Sequence, residues 1–319
     1  MIAVHLENGR VSVRRVPLPR RPPGFARIRL RVAGICNTDL ELQRGYYGFA
    51  GTPGHEFVGE VLEADNARLI GRRVTGEINL ACGDCEWCAR GLGRHCPRRT
   101  VLGIVRHPGA FREVLTLPER NLHLTPDGVP DELAVFAEPL AAACEILEQV
   151  RIPRGSTVAV LGDGKLGLLI AQTLLARGIQ VVHFGRHREK LRISQARGAD
   201  VRLANRARPR GAFAFTVEAT GSPDGLRAAV AMTRPRGTVI LKSTVHGLVA
   251  VDTAPVIVNE ITLVGSRCGR MAPALALLKS GRIDPAAMIA ARFPLTDAPR
   301  AFAYAAKNGV LKVLLYPPG

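Results

Sequence analysis

The stretch VAVLGDGKLG, which begins at Val158, constrains the fold of this chain more than any other. It joins a short apolar run to glycines spaced G-x-G-x-x-G, and an apolar helical pattern, KLGLLIAQTLLARG, overlaps the last of them. This strand, turn and helix typically open a parallel sheet. Further apolar runs (QVVHF, FAFTVEA, TVILKS and ITLVGS) then alternate with helical patterns. The region therefore predicts a doubly wound α/β fold.

The glycine turn also predicts a ligand. Gly162 makes the tight turn, Gly164 lets the backbone approach a pyrophosphate, and Gly167 lets helix and strand pack closely, with Lys165 at the helix start. An NAD site usually carries an acid about 20 residues further on, at the end of the second strand. Here Gly185 takes that place and Arg186 follows it. Further basic residues lie nearby, at His187, Arg188 and Lys190, and these could also belong simply to a solvated helix start. Because Arg186 can pair with a 2'-phosphate, we expect NADP(H) in preference to NAD(H).

The flanking sequence has a different pattern. From Ala26 to about Leu117, short apolar runs are broken by glycine, which is typical of a β-rich domain. The last stretch, ARFPLTDAPRAFAYAAKNGVLKVLLYP, predicts a helix and a strand that return to this domain. We expect a catalytic domain of residues 1–140 with a C-terminal return at 285–319, and an inserted nucleotide-binding domain of residues 141–284.

Four of the seven cysteines lie in one loop, ACGDCEWCARGLGRHCP. Their spacing is C-x2-C-x2-C-x7-C, and four thiolates in one loop suit a closed, tetrahedral structural zinc site with these ligands: Cys82, Cys85, Cys88 and Cys96. Iron–sulfur ferredoxins share part of this pattern but have three residues in the last gap. His95 is an alternative to Cys96. An odd cysteine count with four clustered also favours a reducing compartment.

The formal net charge is +17, a balance that often accompanies nucleic-acid binding. The basic residues are mostly arginine and are spread along the whole chain, so we expect no nucleic-acid partner. No stretch reaches the roughly 18 uninterrupted apolar residues of a membrane span, and the N-terminus lacks the apolar core of a signal peptide. We therefore expect a cytoplasmic protein without a membrane partner.

A second set of metal-ligand residues is scattered: Cys36 in GICNTDL, His55 and Glu56 in GHEFVGEV, and Glu138 in EPL. Singly, each is more commonly a core residue. In this order, with the cysteine loop, VAVLGDGKLG and VEATGSP, they make the chain resemble the zinc-dependent alcohol dehydrogenases of the medium-chain dehydrogenase/reductase family. The resemblance covers nearly the whole chain.

The resemblance implies a GroES-like catalytic domain, a Rossmann domain and an active site in the cleft between them. It implies two zinc ions per chain, of which the four-cysteine one is structural. Cys36 and His55 match two catalytic zinc ligands. Glu138 is the expected third, although Glu56 could ligate instead or exchange with Glu138.

The resemblance also assigns roles close to Cys36. Thr38 matches the hydroxyl that passes the alcohol proton outward, and Asp39 matches the carboxylate that fixes the tautomer of the histidine ligand. Where many alcohol dehydrogenases have a histidine in the proton relay, this chain has Glu41. Polyol members are more similar here, so Glu41 is a candidate for proton relay or for accepting from a polyol hydroxyl. A plain exposed carboxylate is the alternative.

We therefore expect an NADP(H)-preferring, zinc-dependent dehydrogenase of an alcohol or polyol, or of the matching aldehyde or ketone. A zinc-free NADPH reductase of activated double bonds is the nearest alternative, and a non-catalytic protein that binds NADPH or nucleic acid is another. The resemblance further implies a homodimer or homotetramer. The sequence does not identify the substrate.

Overall fold

The computed structural model describes residues 1–204, 209–244 and 249–318. Its strands are β1 (Ile2–Glu7), β2 (Arg10–Arg15), β3 (Phe25–Ile35), β4 (Glu56–Glu63), β5 (Arg73–Gly76), β6 (Asn79–Leu80), β7 (Thr100–Leu102), β8 (Arg106–His107), β9 (Val114–Pro118), β10 (Leu122–Leu124), β11 (Thr157–Leu161), β12 (Gln180–Gly185), β13 (Asp200–Leu203), β14 (Phe213–Glu218), β15 (Thr233–Leu241), β16 (Thr262–Gly265), β17 (Ile289–Pro294) and β18 (Lys312–Tyr316). Its α-helices are α1 (Asn37–Gln43), α2 (Glu86–Ala89), α3 (Asp131–Ala134), α4 (Ala137–Gln149), α5 (Lys165–Ala176), α6 (Arg188–Gln195), α7 (Pro223–Met232), α8 (Ala254–Val258), α9 (Met271–Lys279) and α10 (Ala298–Ala305).

The chain divides into two compact units. The first comprises Met1–Glu138, Met271–Lys279 and Asp284–Gly319, and the second comprises Pro139–Arg270 and Ser280–Ile283. The first unit thus takes in helix α9, which lies within the range 141–284 that the sequence analysis assigned to the inserted domain.

The first unit is built on a seven-stranded sheet. Its strand order is β10-β5-β4-β3-β18-β17, with β9 also paired to β3. Strand β18 lies antiparallel to β3, so the C-terminal return completes the sheet that the N-terminal half begins. Burial of the aromatic side chains of Phe57, Phe111, Phe136 and Phe302 supplies much of the core.

The second unit is a six-stranded sheet in the order β13-β12-β11-β14-β15-β16. All five strand pairings are parallel. This is the order of a doubly wound dinucleotide-binding sheet, in which the first strand lies at the centre and the order reverses beside it. The expected α/β fold of this region is therefore confirmed. Within the described residues, no helix is long and apolar enough to cross a membrane.

Candidate active site

Cys36 lies at the junction of β3 and α1, where it is the N-cap residue of the helix. The carboxylate of Asp39 accepts a hydrogen bond from the backbone N–H of Cys36 at 2.8 Å. Its other oxygen accepts one from Gly54 at 3.1 Å. A short helix of this kind depends on such a cap, because its first N–H groups have no partner within the helix. Asp39 is fully buried and holds the backbone of Cys36 at the helix start.

His55 immediately precedes β4 and is 3% exposed. Its Nδ1 lies 3.5 Å from Asp39 Oδ1, which directs Nε2 away from Asp39. His55 Nδ1 is buried and has no hydrogen-bond partner among the described residues, so Asp39 is the nearby carboxylate that can hold the ring and its tautomer when a metal binds. Burial by itself would lower the pKa of His55. The charge of Asp39 and the thiol of Cys36 raise it by a larger amount, so that the pKa lies well above 6.5. A metal bound here therefore displaces a proton.

Glu56, the next residue, is buried and pairs through Oε2 with the ammonium group of Lys312 on β18. Each side chain is 1% exposed. Burial lowers the pKa of Lys312, yet the charges of Glu56 and Cys36 outweigh burial and raise it. The ammonium nitrogen also lies 5.3 Å from the centre of the Phe136 ring. Sequence reasoning missed Lys312, although a lysine at the start of the apolar strand KVLLY was a usable signal.

Gly34 on β3 separates Glu56 from Lys312. A Cβ atom at this position would lie 2.8 Å from Glu56 Oε2 and 3.1 Å from Lys312 Cδ. The missing side chain therefore provides the space in which the two charged groups meet across the strand.

The donor atoms of Cys36, His55 and Glu56 all lie within 4.8 Å of one another. Thiolate, imidazole and carboxylate are the ligands of zinc, and three of them leave a fourth position open for substrate. Glu56 Oε1 is buried and has no hydrogen-bond partner among the described residues. A buried carboxylate oxygen without a donor is costly, and a metal ion would satisfy it.

Glu138 lies in the first turn of α4 and outside this set. Burial raises its pKa to about 7, with the neighbouring Glu56 charge contributing. At neutral pH a large fraction of Glu138 therefore keeps its proton. The geometry brings Glu56, rather than the expected Glu138, together with Cys36 and His55.

The two remaining candidates near Cys36 lie on α1. Thr38 Oγ1 is 3.9 Å from Cys36 Sγ, so its hydroxyl lies beside the cluster. Glu41 forms an ion pair with Arg44 at 2.5 Å on the half-exposed face of the helix. Its carboxylate is thus already paired with a cation.

The four loop cysteines form a separate cluster. Their sulfur atoms are 3.4 to 3.8 Å apart along four pairs, and none of them forms a disulfide. Zn–S bonds of about 2.3 Å in a tetrahedron place sulfur atoms about 3.8 Å apart, so the arrangement fits zinc. Within the cluster, a backbone hydrogen bond from Cys82 lowers the pKa of Cys96, whereas a side-chain hydrogen bond with Asp84 raises that of Cys82.

The glycine turn lies in the second unit, between β11 and α5. Gly162 has φ +111°, a conformation that favours glycine, and a Cβ at Gly167 would lie 1.9 Å from the carbonyl oxygen of Gly162. Gly164 is the N-cap of α5, and no atom lies within 4 Å of where its Cβ would be. Lys165 is the first residue of the helix. The turn thus has close packing at its two outer glycines and open space at the middle one, as a bound pyrophosphate requires.

The end of β12 carries the other predicted cofactor residues. Gly185 is its last residue and is buried, whereas Arg186 is exposed. His183 on the same strand has its ring between Gly162 O, at 2.9 Å, and Ser194 Oγ, at 2.8 Å. Burial lowers the pKa of His183, so the neutral ring connects β12 to the glycine turn.

Comparisons with known proteins agree with this geometry. Residues 22–127 match the alcohol dehydrogenase GroES-like domain, and residues 166–280 match the zinc-binding dehydrogenase domain. The chain is 30% identical over 310 residues to D-altritol 5-dehydrogenase of Agrobacterium fabrum, covering 92% of each chain. It is 27% identical over 333 residues to sorbitol dehydrogenase of Halalkalibacterium halodurans, covering 97% of this chain and 96% of the relative.

A solved structure is also similar throughout. It is a candidate zinc-binding dehydrogenase from Sinorhizobium meliloti, bound to NADP, with 29% identity, 99% coverage of both chains and a TM-score of 0.89. The chain belongs to the zinc-type alcohol dehydrogenases of the medium-chain dehydrogenase/reductase family. The first unit accordingly contains its GroES-like domain, and the parallel sheet of the second is its Rossmann domain.

Proposed function

We propose that this enzyme transfers hydride between a polyol, or a related alcohol, and NADP(H), with one catalytic and one structural zinc per chain. The observation that carries the proposal is the buried set of Cys36, His55 and Glu56, in which Asp39 orients the histidine. Zinc bound there would lower the pKa of an alcohol and stabilise the alkoxide from which hydride leaves.

The residues around the set hold and move protons and charge. Asp39 keeps Nε2 of His55 available and limits rotation of the ring. Glu56 pairs with Lys312 through Oε2, while its buried Oε1 has no partner among the described residues and is free to bind a metal. Thr38 is our candidate to relay the alcohol proton, because its hydroxyl lies beside Cys36: it would accept that proton and donate its own outward to solvent. Glu138 lies outside the set, and in the metal-free protein burial raises its pKa.

Two observations support the substrate and cofactor classes. D-altritol 5-dehydrogenase and sorbitol dehydrogenase, by their names, act on polyols. Gly185 leaves no acid at the end of β12 and the exposed Arg186 follows it, which favours a cofactor with a 2'-phosphate. Glu41 is our candidate for contact with a polyol hydroxyl, on condition that substrate displaces Arg44.

The first test is zinc content per chain by elemental analysis of wild type, Cys36→Ala and Cys85→Ala. We expect two zinc ions in wild type and one in Cys36→Ala, which also loses polyol oxidation. The Cys85→Ala protein should retain the catalytic zinc if it folds. Equal zinc in wild type and Cys36→Ala would refute the catalytic site and favour a zinc-free reductase.

The ligand assignment has its own test. Glu56→Gln and Glu138→Gln change one carboxylate each at nearly constant volume. We expect Glu56→Gln to weaken zinc binding at the catalytic site more than Glu138→Gln does, and the reverse order would restore Glu138 as the third ligand.

Self-association is part of the proposal. Strand β16 ends the six-stranded sheet in the described residues, and large apolar side chains beside this edge are exposed: Ile257, Val258 and Leu263. Edge strands of this kind pair readily with another copy. We expect light scattering to give the mass of a homodimer, or of a tetramer built from it, for the wild type. The measured mass of Val258→Glu should lie closer to that of a monomer.

A further inference from the structure

The space beside Gly185 is filled by a carboxylate from another part of the chain. A Cβ at Gly185 would lie 2.6 Å from both Cβ and Oδ2 of Asp163, the residue between the first two glycines of the turn. No side chain fits at position 185 while Asp163 occupies this place. The carboxylate absent from the end of β12 is therefore replaced by one that the glycine turn supplies.

Asp163 is held firmly in this position. Its Oδ2 accepts hydrogen bonds from the backbone N–H of His187 at 2.6 Å and from His187 Nδ1 at 3.1 Å. No described residue donates to its Oδ1. Burial by itself would raise the pKa of Asp163. The hydrogen bonds from His187 and the charge of Lys190 lower it by a larger amount, so that the pKa lies below its usual value. The group is an anion at neutral pH, with one oxygen available.

The location of this carboxylate, against Gly185 at the end of β12, indicates what it can bind. In doubly wound sheets the adenosine ribose lies past the glycine turn, at the end of the second strand, where an acid accepts from its hydroxyl groups. Resting on the proposed function, we propose that Asp163 is this ribose-binding acid and opposes Arg186 in the choice of cofactor. Asp163 accepts from the 2'-hydroxyl of NAD(H) and repels the 2'-phosphate of NADP(H), while Arg186 attracts that phosphate.

The enzyme is consequently expected to bind NAD(H) as well as the favoured NADP(H), because Asp163 weakens the preference that Arg186 creates. Removing the charge of Asp163 should strengthen NADP binding by about tenfold, because a like-charge repulsion with the 2'-phosphate is lost. It should weaken NAD binding, because an amide oxygen is a poorer acceptor than a carboxylate.

The variant Asp163→Asn keeps the volume and an oxygen for the N–H of His187. A role confined to positioning His187 predicts that both dissociation constants change together, whereas a role at the ribose predicts that their ratio changes. Glu189→Gln is the matched control, because it removes one exposed negative charge from the same helix start. It should change the ratio less than twofold.

The experiment measures Kd for NADPH and NADH by fluorescence, and for NADP and NAD by calorimetry, on wild type, Asp163→Asn, Glu189→Gln and Arg186→Ala. Circular dichroism verifies the fold of each variant. We expect the NAD-to-NADP ratio of Kd to rise at least tenfold in Asp163→Asn and to fall in Arg186→Ala. An unchanged ratio in Asp163→Asn would overturn the role of Asp163.

These readouts separate this inference from the proposed function. Binding does not require turnover of an alcohol, so a changed ratio in a protein that oxidises no polyol would support Asp163 and refute the proposed reaction. Wild type that binds neither cofactor would overturn the ribose site itself.

Discussion

The ion pair of Lys312 and Glu56 can be tested by removing the ammonium group, because both side chains are buried. In Lys312→Met the chain keeps a side chain of similar length and loses the ammonium group. The carboxylate of Glu56, fully buried on β4, then has no cation beside Oε2. Since Oε1 already lacks a partner among the described residues, both oxygens become orphaned.

The expected loss follows from these exposures. Removing one partner of a buried ion pair costs about 3–5 kcal/mol, since an uncompensated charge remains. At 1% exposure, solvent gives Glu56 almost no relief, so we expect a value in this range. The double variant Lys312→Met/Glu56→Gln leaves a neutral buried amide, which costs about 1–2 kcal/mol. The double variant should therefore be more stable than either single variant.

Trp87 makes the assay specific. It is the only tryptophan of the chain and lies in the first unit, as do Lys312 and Glu56. Its fluorescence in urea thus reports the unfolding of that unit. All proteins should carry Cys36→Ala, so that no metal at the cluster of Cys36, His55 and Glu56 replaces the lost cation.

Two results from the unfolding measurements would refute this reasoning. A loss below about 1 kcal/mol in Lys312→Met would mean that Glu56 is solvated or protonated in the folded protein. A double variant as unstable as Lys312→Met would mean that the lysine stabilises through packing of its aliphatic chain rather than through the pair.

Three further predictions follow from close contacts and burial. Gly34→Ala should cost about 1–3 kcal/mol in urea unfolding and reduce zinc content, because its Cβ meets Glu56 Oε2 at 2.8 Å; full stability with two zinc ions would contradict this. Gly185→Ala should lower the melting temperature, and adding Asp163→Gly should restore it, since the three atoms nearest to the added Cβ all belong to Asp163; no rescue would place the clash elsewhere. Burial raises the pKa of Glu138 to about 7, so the metal-free protein should lose about 3 kcal/mol of stability as pH rises from 4.5 through 7. Glu138→Gln should remove this loss. Parallel pH profiles of stability for the two proteins, followed by circular dichroism, would refute the prediction.

The parallel sheet could be predicted because its signals are local. Each strand is one short apolar run, each crossover is one helical pattern, and the glycine spacing marks the turn at Gly162. The β-rich unit was predicted only as a class. Its strand order depends on pairings such as β3 with β18, whose residues are far apart in sequence.

The site shows the same division. Spacing and resemblance pointed to Cys36 and His55, and the short helix start then explains Asp39. The choice between Glu56 and Glu138 depends on burial and on which oxygen is already paired, and neither is a property of spacing. The proposed role of Asp163 could not be predicted from the sequence. It depends on the carboxylate lying where a Cβ at Gly185 would be, and only the structure shows this.

The C-terminal return is part of the site as well as of the sheet. Gly34 pairs with Glu56 on one side and with Leu314 on the other, so β3 lies between the strand that carries the carboxylate and the strand that carries Lys312. A cation 256 residues away from Glu56 can reach it only when β18 has joined the sheet. Burial of Glu56 without Lys312 would leave an uncompensated charge. We therefore expect the set of Cys36, His55 and Glu56 to form only together with docking of the last strand.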